Sequence, residues 1–220
     1  MSKMEIKINN KHIKELIKRY PLLSEASSDI INAFDVLFNS YQNGGKLLVA
    51  GNGGSAADAE HIVGELMKRF VIPRPISPEL SCKLKEIDYE RGTYLANNLE
   101  EGLMAIPLVS HTALSTAYLN DVDGNGIFAQ QLLGYGREGD VFLGISTSGN
   151  SENVILSAIV AKAIGMKVIG LTGESGGKLA TYSDVCIKAP HTETFLIQEL
   201  HLPIYHCLCL MLEEAFYGKK

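Results

Sequence analysis

Five short apolar runs, separated by stretches of helical periodicity, constrain the fold of this chain more than any other feature. They are KLLVAG (46–51), MAIPLVS (104–110), DVFLGIS (140–146), MKVIGLT (166–172) and VCIKAP (185–190). Each is rich in Val, Ile or Leu and none alternates cleanly, as expected of strands buried on both faces of a parallel sheet. SAADAEHIVGELMKRF follows the first run, GIFAQQLLGYG precedes the third and SENVILSAIVAKAIG follows it, all with helical spacing. Strand and helix in alternation predict a three-layer, doubly wound α/β domain around a five-stranded parallel sheet.

Residues 1–45 read as added N-terminal helix, broken near Pro21, and LIQELHLPIYHCLCLMLEEAFYG reads as a long apolar C-terminal helix perturbed by Pro203. A helix apolar on most faces is buried in a core or a subunit interface. Residues 71–102 hold three of the seven prolines and many charges, and read as a surface insertion with a short helix of its own. Residues 1–220 form a single domain on this reading.

Composition narrows the function. Net charge is −5, which disfavours nucleic-acid and anionic-membrane binding. The N-terminus lacks the apolar segment of a signal peptide, and no apolar run approaches the roughly 20 residues of a membrane span. Cys82, Cys186, Cys207 and Cys209 form no metal-type spacing and read as reduced thiols of a cytoplasmic protein.

Two strands end in loops of small polar residues. Gly51-Asn52-Gly53-Gly54-Ser55 leads into a helix expected from about Ala56, with Ser55 as its cap. Ser146-Thr147-Ser148-Gly149-Asn150-Ser151 leads into a helix from Glu152. Glycines allow close backbone approach, and a helix N-terminus favours an anion. Neither loop is GxxxxGK[ST] or GxGxxG, so nucleotide motifs do not apply. The Thr172–Gly177 loop after the fourth run reads as a plain turn.

His61 and Glu65 lie four residues apart on the helix that starts at the first loop, hence on one face. Gln198, His201 and His206 are polar positions on the otherwise apolar C-terminal helix.

STSGNS after a buried strand resembles the phosphate loop of the sugar-isomerase (SIS) domain family, and GNGGSAADAEHIVGEL is similar to the matching segment of phosphoheptose isomerases. The resemblance covers about residues 30–218 except 71–102. It implies an aldose–ketose isomerase for a sugar phosphate, most like sedoheptulose 7-phosphate, in heptose or lipopolysaccharide biosynthesis. By resemblance, Ser55, Ser146, Thr147, Ser148 and Ser151 hold the phosphate, Asn52, Gly53, Gly54, His61, Glu65 and Gln198 also bind the substrate, and Asn120 and Asp121, between the second strand and the next helix, contact the sugar. It further implies Zn2+ held by His61, Glu65, Gln198 and His206, catalysis by Glu65 and His206, and a homotetramer with sites near subunit interfaces. His201 is the rival ligand. Gln198 and His206 are separated by eight residues, about 12 Å on a straight helix. Either Gln198 precedes the regular helix or the site draws on two subunits. Many members carry Arg two positions before this Gln, where this chain has Leu196. The alternatives are a non-catalytic SIS regulator, lacking need of the acid–base pair, and an isomerase of another sugar phosphate.

Overall fold

A computed structural model describes residues 3–218. The chain opens with two helices, α1 (Lys3–Arg19) and α2 (Ser27–Gln42), separated by a 3-10 turn at Pro21–Ser24. Then follow β1 (Leu47–Gly51), α3 (Gly54–Met67), α4 (Pro78–Ile87), α5 (Tyr89–Asn98), β2 (Ala105–Pro107), α6 (Thr112–Asp121), α7 (Ile127–Tyr135) and β3 (Val141–Ile145). The remainder is α8 (Glu152–Ala163), β4 (Lys167–Gly173), α9 (Leu179–Tyr182), β5 (Val185–Ala189) and α10 (Thr194–Tyr217).

All five apolar runs are strands, in the order β2-β1-β3-β4-β5, and every pairing is parallel. β2 is an edge strand, which is where Pro107, lacking an N–H for the ladder, is tolerated. Alternate residues face opposite cores. Leu47, Val49, Val141, Leu143, Ile169 and Leu171 pack with α1, α2, α3 and α10. Leu48, Ala50, Phe142 and Val168 pack with α7, α8 and α9. Both sheet faces are therefore covered, which explains why the strands read as continuous apolar runs. After β1 the chain moves to β2 on one side and then to β3 on the other. The carboxyl ends of β1 and β3 flank the point where strand order reverses, the place where open α/β sheets bind ligands.

α10 is long and apolar enough to cross a membrane by composition, with mean hydropathy 1.4. Here Ile197, Ile204, Cys207, Leu208, Met211 and Leu212 place it in the main core instead. It runs unbroken through Pro203.

Residues 71–102 hold two helices rather than one. Ser77 caps α4 by accepting from Leu80 N at 3.2 Å, and Asp88 caps α5 by accepting from Arg91 N at 2.8 Å. The two pack as a hairpin so closely that a Cβ on Gly92 would stand 2.2 Å from the Leu84 carbonyl oxygen. α6 was also absent from the sequence expectation, and none of its residues is buried.

Candidate active site

The two polar loops meet at the switch point. α3 begins at Gly54, two residues earlier than expected, with Gly53 at φ 56° in the N-cap position. Ser55 is thus not the cap. It sits buried inside the first turn, its N–H donating to the Asn52 carbonyl at 3.0 Å. Asn52 and Asn153 exchange two amide hydrogen bonds of 2.9 Å, tying the β1 loop to the first turn of α8. Buried Ser146 and its neighbour Ser151 share a hydroxyl hydrogen bond of 2.9 Å. Ser151 precedes α8 without capping it by side chain. Two helix N-termini with unspent N–H groups therefore point into one region beside several hydroxyls, an arrangement suited to a phosphate.

The Thr172–Gly177 loop is more than a turn. Gly173 N donates to the Thr147 carbonyl at 2.9 Å, and Glu174 and Ser175 join Thr147, Ser148, His191 and Thr192 around a cleft of about 270 Å³. No periodicity marks such a loop, so sequence reasoning missed its share in the site. Gly149 fixes the junction. Its φ is +65°, and an added Cβ would lie 2.1 Å from the Gly176 carbonyl oxygen. Gly149→Ala is expected to push the β3 and β4 loops apart, destabilise the fold by at least about 1–3 kcal/mol and raise KM for a phosphorylated sugar more than kcat falls. Thermal melting and steady-state kinetics check this.

The second cluster lies farther along α3. His61 Nε2 is 3.2 Å from Glu65 Oε1 and 3.4 Å from His206 Nε2. Tyr205 OH lies 2.9 Å from His61 Nδ1 and donates to Asp58 Oδ1 at 3.2 Å. Burial and the nearby His61 hold the His206 imidazole below the ordinary histidine value, with Glu65 pulling the other way. Burial, then the Tyr205 and His61 partners in opposition, leaves the Asp58 carboxyl above its usual value. The Tyr205 hydroxyl is pushed up by burial and by Asp58, so it stays protonated. Tyr205 and Asp58 were not among the sequence candidates. An Asp one helical turn before His61 was the only available signal.

Gln198 lies within α10, not before it, so the expectation that the regular helix starts after Gln198 is corrected. Its side chain packs against the head of α3, where a Cβ on Gly54 would meet Gln198 Nε2 at 2.6 Å. Gln198 thus stands beside the first loop. His201 is turned away: it is fully buried, with Nε2 donating to the Thr172 carbonyl at 3.2 Å. Asn120 and Asp121 end α6 rather than occupying a strand-to-helix loop, and they are exposed and hydrogen-bonded to each other at 2.8 Å.

Burial lowers the His201 pKa to about 4. The unfolded chain binds this proton near pH 6.5 and the folded one does not, so stability is lost as pH falls between those values. At 1.36 kcal/mol per unit the loss approaches roughly 3 kcal/mol. His201→Gln, which retains a donor for Thr172, is expected to remove this part of the slope in melting curves between pH 7 and pH 4.

Among the described residues no group of three or more His, Cys, Asp or Glu side chains stands in the arrangement of a bound metal ion. The donors themselves fit zinc in type.

A family model described as the SIS domain matches residues 10–103 and 100–173. The phosphoheptose isomerase of Aneurinibacillus thermoaerophilus is 43% identical over 180 residues, covering 82% of this chain and 78% of that protein. The chain belongs to the phosphoheptose isomerase family. Solved phosphoheptose isomerases share its fold. That of Francisella tularensis superposes with TM-score 0.73 at 30% identity, covering 97% of this chain and all of the other. That of Neisseria gonorrhoeae gives TM-score 0.69 at 32% identity, covering 94% and 93%. In this chain the loops at 51–55 and 146–151 lie at the carboxyl ends of β1 and β3, and the His61–Glu65–His206 cluster lies on α3 and α10.

Proposed function

We propose that this protein interconverts sedoheptulose 7-phosphate and D-glycero-D-manno-heptose 7-phosphate through an enediol. The observation that carries the reading is that the Glu65 carboxylate, on the helix that a phosphate-type loop opens, and the His206 imidazole of α10 converge on His61. Ser55 to His61 spans about 9 Å of α3, a distance on the scale of an extended sugar phosphate. The loops hold the phosphate, so binding energy at that remote end orients the reacting carbons. Glu65 takes the proton from C1 of the ketose and returns it to C2. His206 moves the hydroxyl proton from O1 to O2 and assists ring opening.

His61, Glu65, Gln198 and His206 would hold a zinc ion. Zinc bound there supplies Lewis-acid polarisation of the carbonyl and hydroxyl oxygens. The rival reading, a regulator that only binds sugar phosphate, has no use for this cluster. The protein works as a homotetramer with sites near subunit boundaries. In support, α6 carries Asn120 and Asp121 yet shows Leu114 and Leu119 to solvent, and Val122, just beyond its end, is exposed too. A cytoplasmic location agrees with Cys82, Cys186, Cys207 and Cys209 being free thiols, and the heptose product points to surface-polysaccharide biosynthesis.

A panel of ketose phosphates assayed with chelator, then with zinc restored, tests the reading. The seven-carbon substrate is expected to turn over best, and chelator to suppress turnover reversibly. Equal turnover of shorter ketose phosphates contradicts the substrate assignment, and indifference to chelator contradicts the metal.

A further inference from the structure

Tyr205 has one hydroxyl proton, and it goes to Asp58 Oδ1 at 3.2 Å. The same hydroxyl lies 2.9 Å from His61 Nδ1, so that contact needs a proton from the ring. A neutral His61 then has no proton left for Nε2. Yet Nε2 is the atom that faces Glu65 Oε1 at 3.2 Å and His206 at 3.4 Å. The Nε2 lone pair therefore faces the Glu65 carboxylate and His206 Nε2, a setting that suits a cation, or a proton donated by His206, between them. The ring of Tyr205 is itself held, since the residue is 2% exposed and packs edge-on to His61 at 5.4 Å and to His206 at 5.1 Å. Asp58 Oδ2 is buried without a partner, so Oδ1 is the oxygen engaged with the relay.

We propose that Asp58 and Tyr205 are positioning residues that lock His61 in its Nδ1–H tautomer and aim the Nε2 lone pair at the space shared with Glu65 and His206. Neither residue touches the sugar. Their role is to present His61 as a ready ligand for a divalent cation, in the way a hydrogen-bond partner on the far nitrogen fixes a metal-binding histidine. The inference rests on the isomerase reading for its purpose, though not for its test.

The test uses nitrogen-15 NMR of the full metal-free protein at pH 8, with the His61 signals assigned by their loss in His61→Asn. Zinc affinity by competition with a chelator, and kinetics, accompany it. The relay predicts a protonated Nδ1 and an unprotonated Nε2 in the wild type. In Tyr205→Phe the tautomer becomes mixed, zinc binds about 10–100-fold more weakly, and kcat falls while KM for the sugar phosphate stays within about twofold. Asp58→Ala, which leaves the Tyr205 ring in place, shifts zinc affinity in the same direction and serves if Tyr205→Phe folds poorly. A wild-type His61 carrying its proton on Nε2 overturns the proposal, as does wild-type zinc affinity in both variants. Absence of isomerisation by the wild type, with tautomer and affinity as predicted, sinks the isomerase reading and leaves the relay standing.

Discussion

Glu65→Gln is expected to fold and bind sugar phosphate as the wild type does, and to lose isomerisation by about 10³-fold or more. Positioned acid–base groups contribute about 10²–10⁴-fold, and an enediol route has no substitute for the base that moves the carbon-bound proton. Gln keeps the size and polarity of the side chain, which is only 14% exposed and held between His61 and Lys68. Packing is therefore preserved while basicity is removed. The phosphate loops lie on other turns, so KM or a binding constant measured by calorimetry stays close to wild type. Full turnover by Glu65→Gln removes Glu65 from the mechanism.

Arg74→Met is expected to cost about 3–5 kcal/mol, the usual consequence of leaving one charge of a buried pair unpaired. For a chain of this size that lowers Tm by roughly 6–20 °C. Arg74 and Glu213 are both essentially inaccessible and meet at 2.8 Å. Glu213 also accepts from the backbone of Phe70 at 2.7 Å and Val71 at 2.8 Å. Arg74 donates to the Leu66 carbonyl at 2.7 Å and the Glu65 carbonyl at 3.3 Å, and its guanidinium covers the Tyr217 ring at 4.5 Å. The pair thus closes the last turn of α3, where Glu65 resides, and roots the 71–102 hairpin on α10. Burial opposes ionisation of Glu213, but the Phe70, Val71 and Ile72 amides and Arg74 outweigh it and hold its carboxyl below the ordinary value. Its stabilising contribution is therefore complete above the normal glutamate range and fades as pH falls through the lower folded value. The double variant Arg74→Met, Glu213→Leu is expected to recover much of the loss, since apolar replacement of a whole buried pair is often neutral. A wild-type Tm for Arg74→Met contradicts this account.

The sheet was legible because strands covered on both faces cannot avoid continuous apolar sequence. The same holds for α10, whose all-round apolar surface could only be buried. α6 left no such trace: it buries none of its residues, so no periodicity distinguished TALSTAYLND from a loop. Asn120 and Asp121 were placed wrongly for the same reason. The loops at 51–55 and 146–151 announced themselves by their density of glycine and hydroxyls. Glu174 and Ser175 did not, because their part in the cleft depends on strand order, which brings β4 beside β3. The His61–Glu65 pair was visible as a one-face spacing, whereas Tyr205 looked like another core residue of an apolar helix. Arg74 and Glu213 are 139 residues apart, and their pairing is purely tertiary.

A crystal structure of Glu65→Gln with sedoheptulose 7-phosphate bound would decide the matter. The phosphate is expected within hydrogen-bond distance of Ser146, Ser148 or Ser55, with C1 and C2 of the sugar against His206 and the substituted amide on α3. A phosphate seated away from the β1 and β3 loops, or reacting carbons out of reach of that pair in every subunit, contradicts the proposed chemistry.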